Sequence, residues 1–318
     1  DSCGFAMLAR RFRYASIRAL AHQVGDAHQQ VPEWVRLARN LDALIASRIT
    51  KPKLCSQDST LVKELCGAMC DEYGRAGPTP EFKFYRNAQS LKSVEAAQCN
   101  LVAHFFVARL YEGAAVQIRA HILTGESEDT AHSHGSSFFS ACISGGYTHE
   151  IWRKELAAQG SNAASASCFY ETKRLRGSLN PKSEVSDATV GARVSNNADM
   201  FSMSIQRPGR FFLSQAETHE HQRGNLYFMD AADLFHKVCV RKKHLIGAPA
   251  VSLVIRGKHA TFKDNHFVTI DAPLSETVKE GASKELEAHV RDEYLYLLRD
   301  AMRSYRTNGS VKGLSEDC

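Results

Sequence analysis

Two histidines one residue apart, His132 and His134, follow Gly125-Glu126-Ser127-Glu128-Asp129-Thr130-Ala131 and precede the run Phe138-Phe139-Ser140-Ala141-Cys142-Ile143. On extended backbone residues i and i+2 point to one side, so both imidazoles can reach one ion while Ser133 faces away. Imidazole suits iron, zinc, copper or nickel, and spacing alone does not choose among them. A second such pair, His219-Glu220-His221, falls where a hairpin turn is predicted ahead of Arg223-Gly224 and reads as an exposed turn. Arg119 and His121 share one face of a predicted strand. A buried guanidinium is costly unless paired, so an inward Arg119 or Arg256 would hold a carboxylate or phosphate in a two-pronged fork. Cys66 and Cys70, four apart on a predicted helix, read as small core hydrophobes.

The glycine, the spacer, the paired histidines, the strand and the turn at Gly145-Gly146 resemble the first motif of the cupin superfamily. Most cupins place a glutamate ligand a few residues after the pair, where this chain has Ser137, Phe138 and Phe139. That absence is similar to the thiol dioxygenase branch, with cysteine dioxygenase as its familiar member, in which three histidines alone hold ferrous iron. Glu150 matches that branch's glutamate after the turn. The segment from Gly224 to Val238, an apolar strand, a small-residue turn and then His236, resembles the second cupin motif, and Pro249 to Gly257 is similar to the strand after it. The branch follows its serine, here Ser252, with a histidine and a tyrosine, where this chain has Val254 and Arg256; Phe139 aligns with the cysteine that some members crosslink.

Covering about residues 110–270, the resemblance implies that His132, His134 and His236 hold one Fe2+, with Zn, Ni, Mn and Cu as alternatives. Arg119, His121, Tyr147 and Arg256 would then surround a small anionic substrate, thiol or amino-acid-like, that is oxidised with dioxygen. Arg86, in Phe84-Tyr85-Arg86-Asn87, is a further candidate because that segment is similar to the branch's substrate-arginine segment. A site without an anionic ligand leaves the ion its full double charge, which attracts an anion. Two alternative readings stand beside this one: a non-oxidative metal-dependent cupin, such as an isomerase or decarboxylase, and a non-catalytic binding protein.

The elements that must position these residues divide the chain. Apolar residues at three-to-four spacing predict helices over 5–23, through Val35 to Ile45, and over 59–73. From about residue 100 short β-rich runs ended by glycines predict strands at 115–123, 138–143, 210–217, 225–230, 236–241, 250–256 and 266–271. Residues 157–200, rich in Ser, Ala and Asn, predict an insertion or loop. A last helix, capped by Ser275 or Ser283, carries the stripe Leu286, Val290, Tyr294, Leu297 and Met302. The plan is α+β: a helical region over 1–100 packed on a cupin-type antiparallel β-barrel, or double-stranded β-helix, over 101–274, then a C-terminal helix and tail over 275–318.

Composition agrees with a globular protein and excludes fibrous or wholly disordered classes, since 43% of the 318 residues are hydrophobic and 24% charged. Forty basic residues against 35 acidic ones, with no long basic block, give no nucleic-acid surface. The sequence has no apolar run of the roughly 18 residues that a membrane span needs, and its opening lacks the layout of a leader. Nine scattered cysteines without a Cys-x-x-Cys pair predict reduced thiols and a cytoplasmic setting. Self-association is left open. Asp1-Ser2-Cys3-Gly4-Phe5 resembles the opening of class II glutamine amidotransferases, but nothing after it continues that pattern.

Overall fold

Helix α1 (Glu33–Ala46) turns Trp34, Val35, Ala38, Leu41 and Ile45 inward at helical spacing, and α2 (Ser59–Arg75) does the same with Leu61, Val62, Leu65, Met69 and Tyr73. Cys66 and Cys70 lie within that buried stripe, where burial pushes the Cys66 thiol up to about 12 and that of Cys70 well above its ordinary value. Helix α3 (Ala288–Asn308) packs on α2 and adds Leu298, Ala301, Met302 and Tyr305 to the same core. Its buried stripe is rotated from the expected one, for Leu297 stays at the edge while Leu298 is fully buried.

These features belong to a computed structural model that describes residues 31–48, 53–75, 82–86, 89–93, 99–102, 105–128, 134, 136–155, 168–176, 190–193, 201–204, 210–230, 234–258, 266–270 and 286–308. The helix expected over 5–23, the Cys3 opening, the capping serines Ser275 and Ser283 and His132 lie outside the described residues. No described helix is long and apolar enough to cross a membrane.

Sixteen strands follow α2 among the described residues: β1 (Lys83–Arg86), β2 (Gln89–Ser93), β3 (Cys99–Val102), β4 (Phe105–Glu112), β5 (Val116–Leu123), β6 (Ser127–Glu128), β7 (Phe138–Ser144), β8 (Gly146–Glu155), β9 (Cys168–Arg176), β10 (Val190–Arg193), β11 (Phe201–Ser204), β12 (Arg210–Gln222), β13 (Leu226–Met229), β14 (Leu234–Val240), β15 (Ala250–Gly257) and β16 (His266–Ile270). One sheet runs β13-β7-β15-β5-β4-β1-β2 with β3 also on β4, and the other β10-β11-β9-β12-β8-β14-β6 with β16 on β9. All pairings are antiparallel except β1 with β4. From β5 to β8 and again from β12 to β15 the chain crosses between the sheets at each connection, which is how two facing sheets of a roll are wound.

Three expectations change. The first hundred residues are not helical throughout, because the β-forming Phe84 and Tyr85 begin a strand and β1, β2 and β3 all precede residue 103. Residues 157–200 are not loop alone, since Cys168-Phe169-Tyr170-Glu171-Thr172 opens β9 and carries β10 and β11 at the sheet's edge. The expected barrel takes the form of two facing sheets that no strand pairing joins into a closed ring among the described residues.

Period-two alternation sorts the first sheet's side chains. Ile118, Ala120, Ile122, Phe139, Ala141, Ile143, Val251, Leu253 and Ile255 join the helices' core on one face. The intervening Arg119, His121, Ser140, Cys142, Ser252, Val254 and Arg256 take the other face, as their cross-strand partners require. Asp42 of α1 ties helix to sheet by accepting the N–H groups of Ala114, Ala115 and Val116 at 3.0, 2.7 and 2.8 Å in the β4–β5 turn.

Candidate metal centre

Strand β8 brings the second sheet's polar face together. His149 stands opposite His219 of β12 and Val238 of β14, Tyr147 opposite His221, and Ile151 opposite His236. Cross-strand partners share a face, so Tyr147, His149, His219, His221 and His236 all project to one side. The His219–His221 pair is therefore on a strand and not in the expected turn. The turn begins at Arg223 and uses Gly224 at φ 93°, and His221 is buried at 6% exposure. Two glycines let β8 run this close to its neighbours. Gly145 turns at φ 59°, and a side chain on Gly146 would stand 2.6 Å from the His221 carbonyl oxygen.

His134, in the loop before β7, faces His236 with their Nε2 atoms 2.7 Å apart. Two imidazole nitrogens bound at right angles to one ion would stand about 3 Å apart, so the pair fits a shared cation as well as an N–H···N bond. His236 is buried, and its Nδ1 lies 2.8 Å from His149 Nε2. Phe138 lines the pair, edge-on to His134 at 4.9 Å by ring centroids and tilted to His236 at 5.6 Å. The loop is pinned where it enters β7: Ser137 Oγ donates to Asp230 at 2.9 Å, and Lys53 Nζ reaches the same carboxylate at 2.9 Å. Among the described residues no three His, Cys, Asp or Glu side chains form a metal-holding group. His132, the neighbour of this pair in sequence, is the expected ligand that lies outside them.

Arg256 lies opposite Phe138 on β7 and donates through Nε to Ser136 Oγ at 2.7 Å, two residues from His134. Opposite Arg256 on the other side is Gln117, whose Oε1 accepts from Arg119 Nε at 2.6 Å. His121 follows on the same face, and burial together with Arg119 and Arg256 lowers it to about 3, which keeps it neutral. Its Nε2 is buried with no hydrogen-bond partner among the described residues.

Tyr147 crosses between the sheets, its hydroxyl 3.1 Å from Ser140 Oγ and 3.5 Å from Ser252 Oγ. Burial raises both Tyr147 and the adjacent Tyr227 above the ordinary phenol range, so both keep their protons. The rings of His149 and His221 lean on Tyr227 at 4.5 and 4.3 Å. Burial lowers His221 to about 4, and neither of its ring nitrogens has a hydrogen-bond partner among the described residues.

The structure thus brings His134 and His236 together and puts Arg119, His121, Arg256 and Tyr147 on the faces that enclose them. Arg86 is not brought there: it is exposed on β1 and pairs with Glu112 at 3.7 Å. Motif reading missed His149 in this cluster and placed His221 in an exposed turn. The alternation of Glu217, His219 and His221 along one strand was the signal available for the second.

No family model and no curated protein matches the chain. Similar solved structures include a hydroquinone 1,2-dioxygenase in complex with Cd2+ and 4-hydroxybenzonitrile, 10% identical over 59% of this chain and 70% of that one, with a TM-score of 0.19. DMSP lyases match at 10% identity over 76% of this chain and 80% of theirs, with a TM-score of 0.21. The hydroxypropylphosphonic acid epoxidase of S. wedmorenis matches at 9% identity over 71% and 97%, with a TM-score of 0.22.

Proposed function

We propose that this chain is a metal-dependent enzyme of cupin type that uses dioxygen to oxidise a small anionic substrate, with thiol and amino-acid-like acids as the first class to try. The crossing order of the strands supports the cupin reading, because a double-sheet roll of this winding is the architecture cupins use. One divalent ion, ferrous iron before zinc, nickel, manganese or copper, would be held by His132, His134 and His236. The observation that carries the reading is the close approach of His134 to the buried His236, with Arg256 anchored two residues from His134.

A divalent ion bound there supplies Lewis acidity and open positions for substrate and dioxygen. The chain's own residues do the rest. Arg256 and Arg119 offer guanidinium forks to the substrate's acid group, and their separation along one sheet face orients it. Phe138 excludes water beside the imidazoles, since it is buried and packs with Val254 and Met229. Tyr147, protonated and held between two serine hydroxyls, is a fixed polar group on the opposite wall.

The test is elemental analysis of protein purified without chelator, set beside His132→Ala, His134→Ala and His236→Ala. One equivalent of a first-row metal in the parent and loss from the three variants is the expected result. Equal metal content in all four sinks the reading. Oxygen uptake with small thiols and carboxylic acids then separates oxidation from a non-oxidative reaction on the same site.

A further inference from the structure

Resting on the metal reading above, we propose that His149 is the positioning residue for His236. His149 is fully buried, with Nε2 2.8 Å from His236 Nδ1, while the other nitrogen of His236, Nε2, lies 2.7 Å from His134. An imidazole that offers Nε2 to a cation carries its proton on Nδ1, and inside a closed pocket that N–H needs an acceptor. His149 Nε2 is that acceptor, which places the His149 proton on its own Nδ1.

The backbone fixes the two rings. His149 is opposite Val238 and His236 opposite Ile151 across β8 and β14, so they are diagonal neighbours on one face. Their planes meet at 74°, and the face of the His149 ring leans on Tyr227. Rotation of His236 away from His134 therefore breaks a buried hydrogen bond, and so does a switch of its tautomer. His149 acts through His236 alone and touches neither substrate nor the ion.

Co2+ binding by full-length protein, measured by competition with a chromophoric chelator and by its visible ligand-field bands, tests this. In His149→Leu, which keeps bulk and loses the acceptor, affinity falls by roughly 10- to 100-fold and the bands shift, whereas His149→Gln, whose amide oxygen reaches Nδ1, stays within about threefold of the parent. Thermal melting of the metal-free proteins accompanies each titration. Parent-like affinity and spectrum in His149→Leu, with binding lost in His236→Ala, overturns the role of His149 and leaves the metal site standing. Retention of Co2+ by both His134→Ala and His236→Ala overturns the metal reading itself. If His149→Leu does not fold, His149→Asn, whose amide is one bond too short to reach, takes its place under the same outcomes.

Discussion

Glu220 shows how differently two neighbours on one strand can be used, since His221 turns inward and Glu220 outward. Burial opposes its charge, but hydrogen bonds from Lys243, His244 and Thr148 prevail and hold its carboxyl down to about 2. A carboxylate whose pKa is depressed by folding contributes stability that is present above the unfolded value near 4.5 and is lost as pH falls toward 2. Because the side chain is 44% exposed, solvent screening limits the effect, and Glu220→Gln should cost about 0.5–1 kcal/mol at pH 7. Thermal melts of parent and variant should converge between pH 4.5 and 2; a difference that persists at pH 2 would assign the loss to packing. At this scale the sequence singled out His134 through its spacing and His236 through its place after a strand and turn. It did not disclose His149, because a single histidine on a buried strand has no motif and its partner is 87 residues away.

Elements explain why those two histidines meet. Six of the seven predicted strands fall within two residues of their observed limits, since β-branched and aromatic runs bounded by glycine leave little choice. The seventh, expected to stop at 217, runs on to Gln222, because a register shift between Gln215 and Glu217 lets it continue past a bulge. Strands β1 to β4, β6 and β8 to β11 were not separated in the sequence; polar stretches such as Gln89–Ser93 and Ser127–Glu128 resemble loop composition, and the β1–β4 and β8–β12 pairings are long-range. The helix-to-sheet tie at Asp42 was equally illegible, as its three acceptances join residues more than 70 apart. Removing it in Asp42→Ala leaves three N–H groups of the β4–β5 turn without their carboxylate, a loss of about 3 kcal/mol in urea unfolding. Asp42→Asn should recover part of that, since its amide oxygen can accept but carries no charge. A loss below about 0.5 kcal/mol would mean that water replaces the carboxylate freely.

Across the whole molecule the first sheet has two different jobs on its two faces. Its outer face buries apolar residues under α1, α2 and α3, and its inner face carries Arg119, His121, Ser140, Ser252 and Arg256 toward the histidines of the second sheet. A fully apolar sandwich would have closed this space, so the helices supply on one side the burial that the polar face forgoes on the other. That division predicts that stability and metal binding can be changed separately. Leu298 is fully buried on α3 within the helical core and belongs to neither inner face. Leu298→Ala should cost about 3 kcal/mol and lower the melting temperature by on the order of 10 °C. Metal content per folded chain at 20 °C should stay at the parent value, because no contact of the His134–His236 pair passes through α3 among the described contacts. Loss of metal in step with the fall in melting temperature would show that the helical layer sets the spacing of the two sheets and, through it, the separation of the imidazoles.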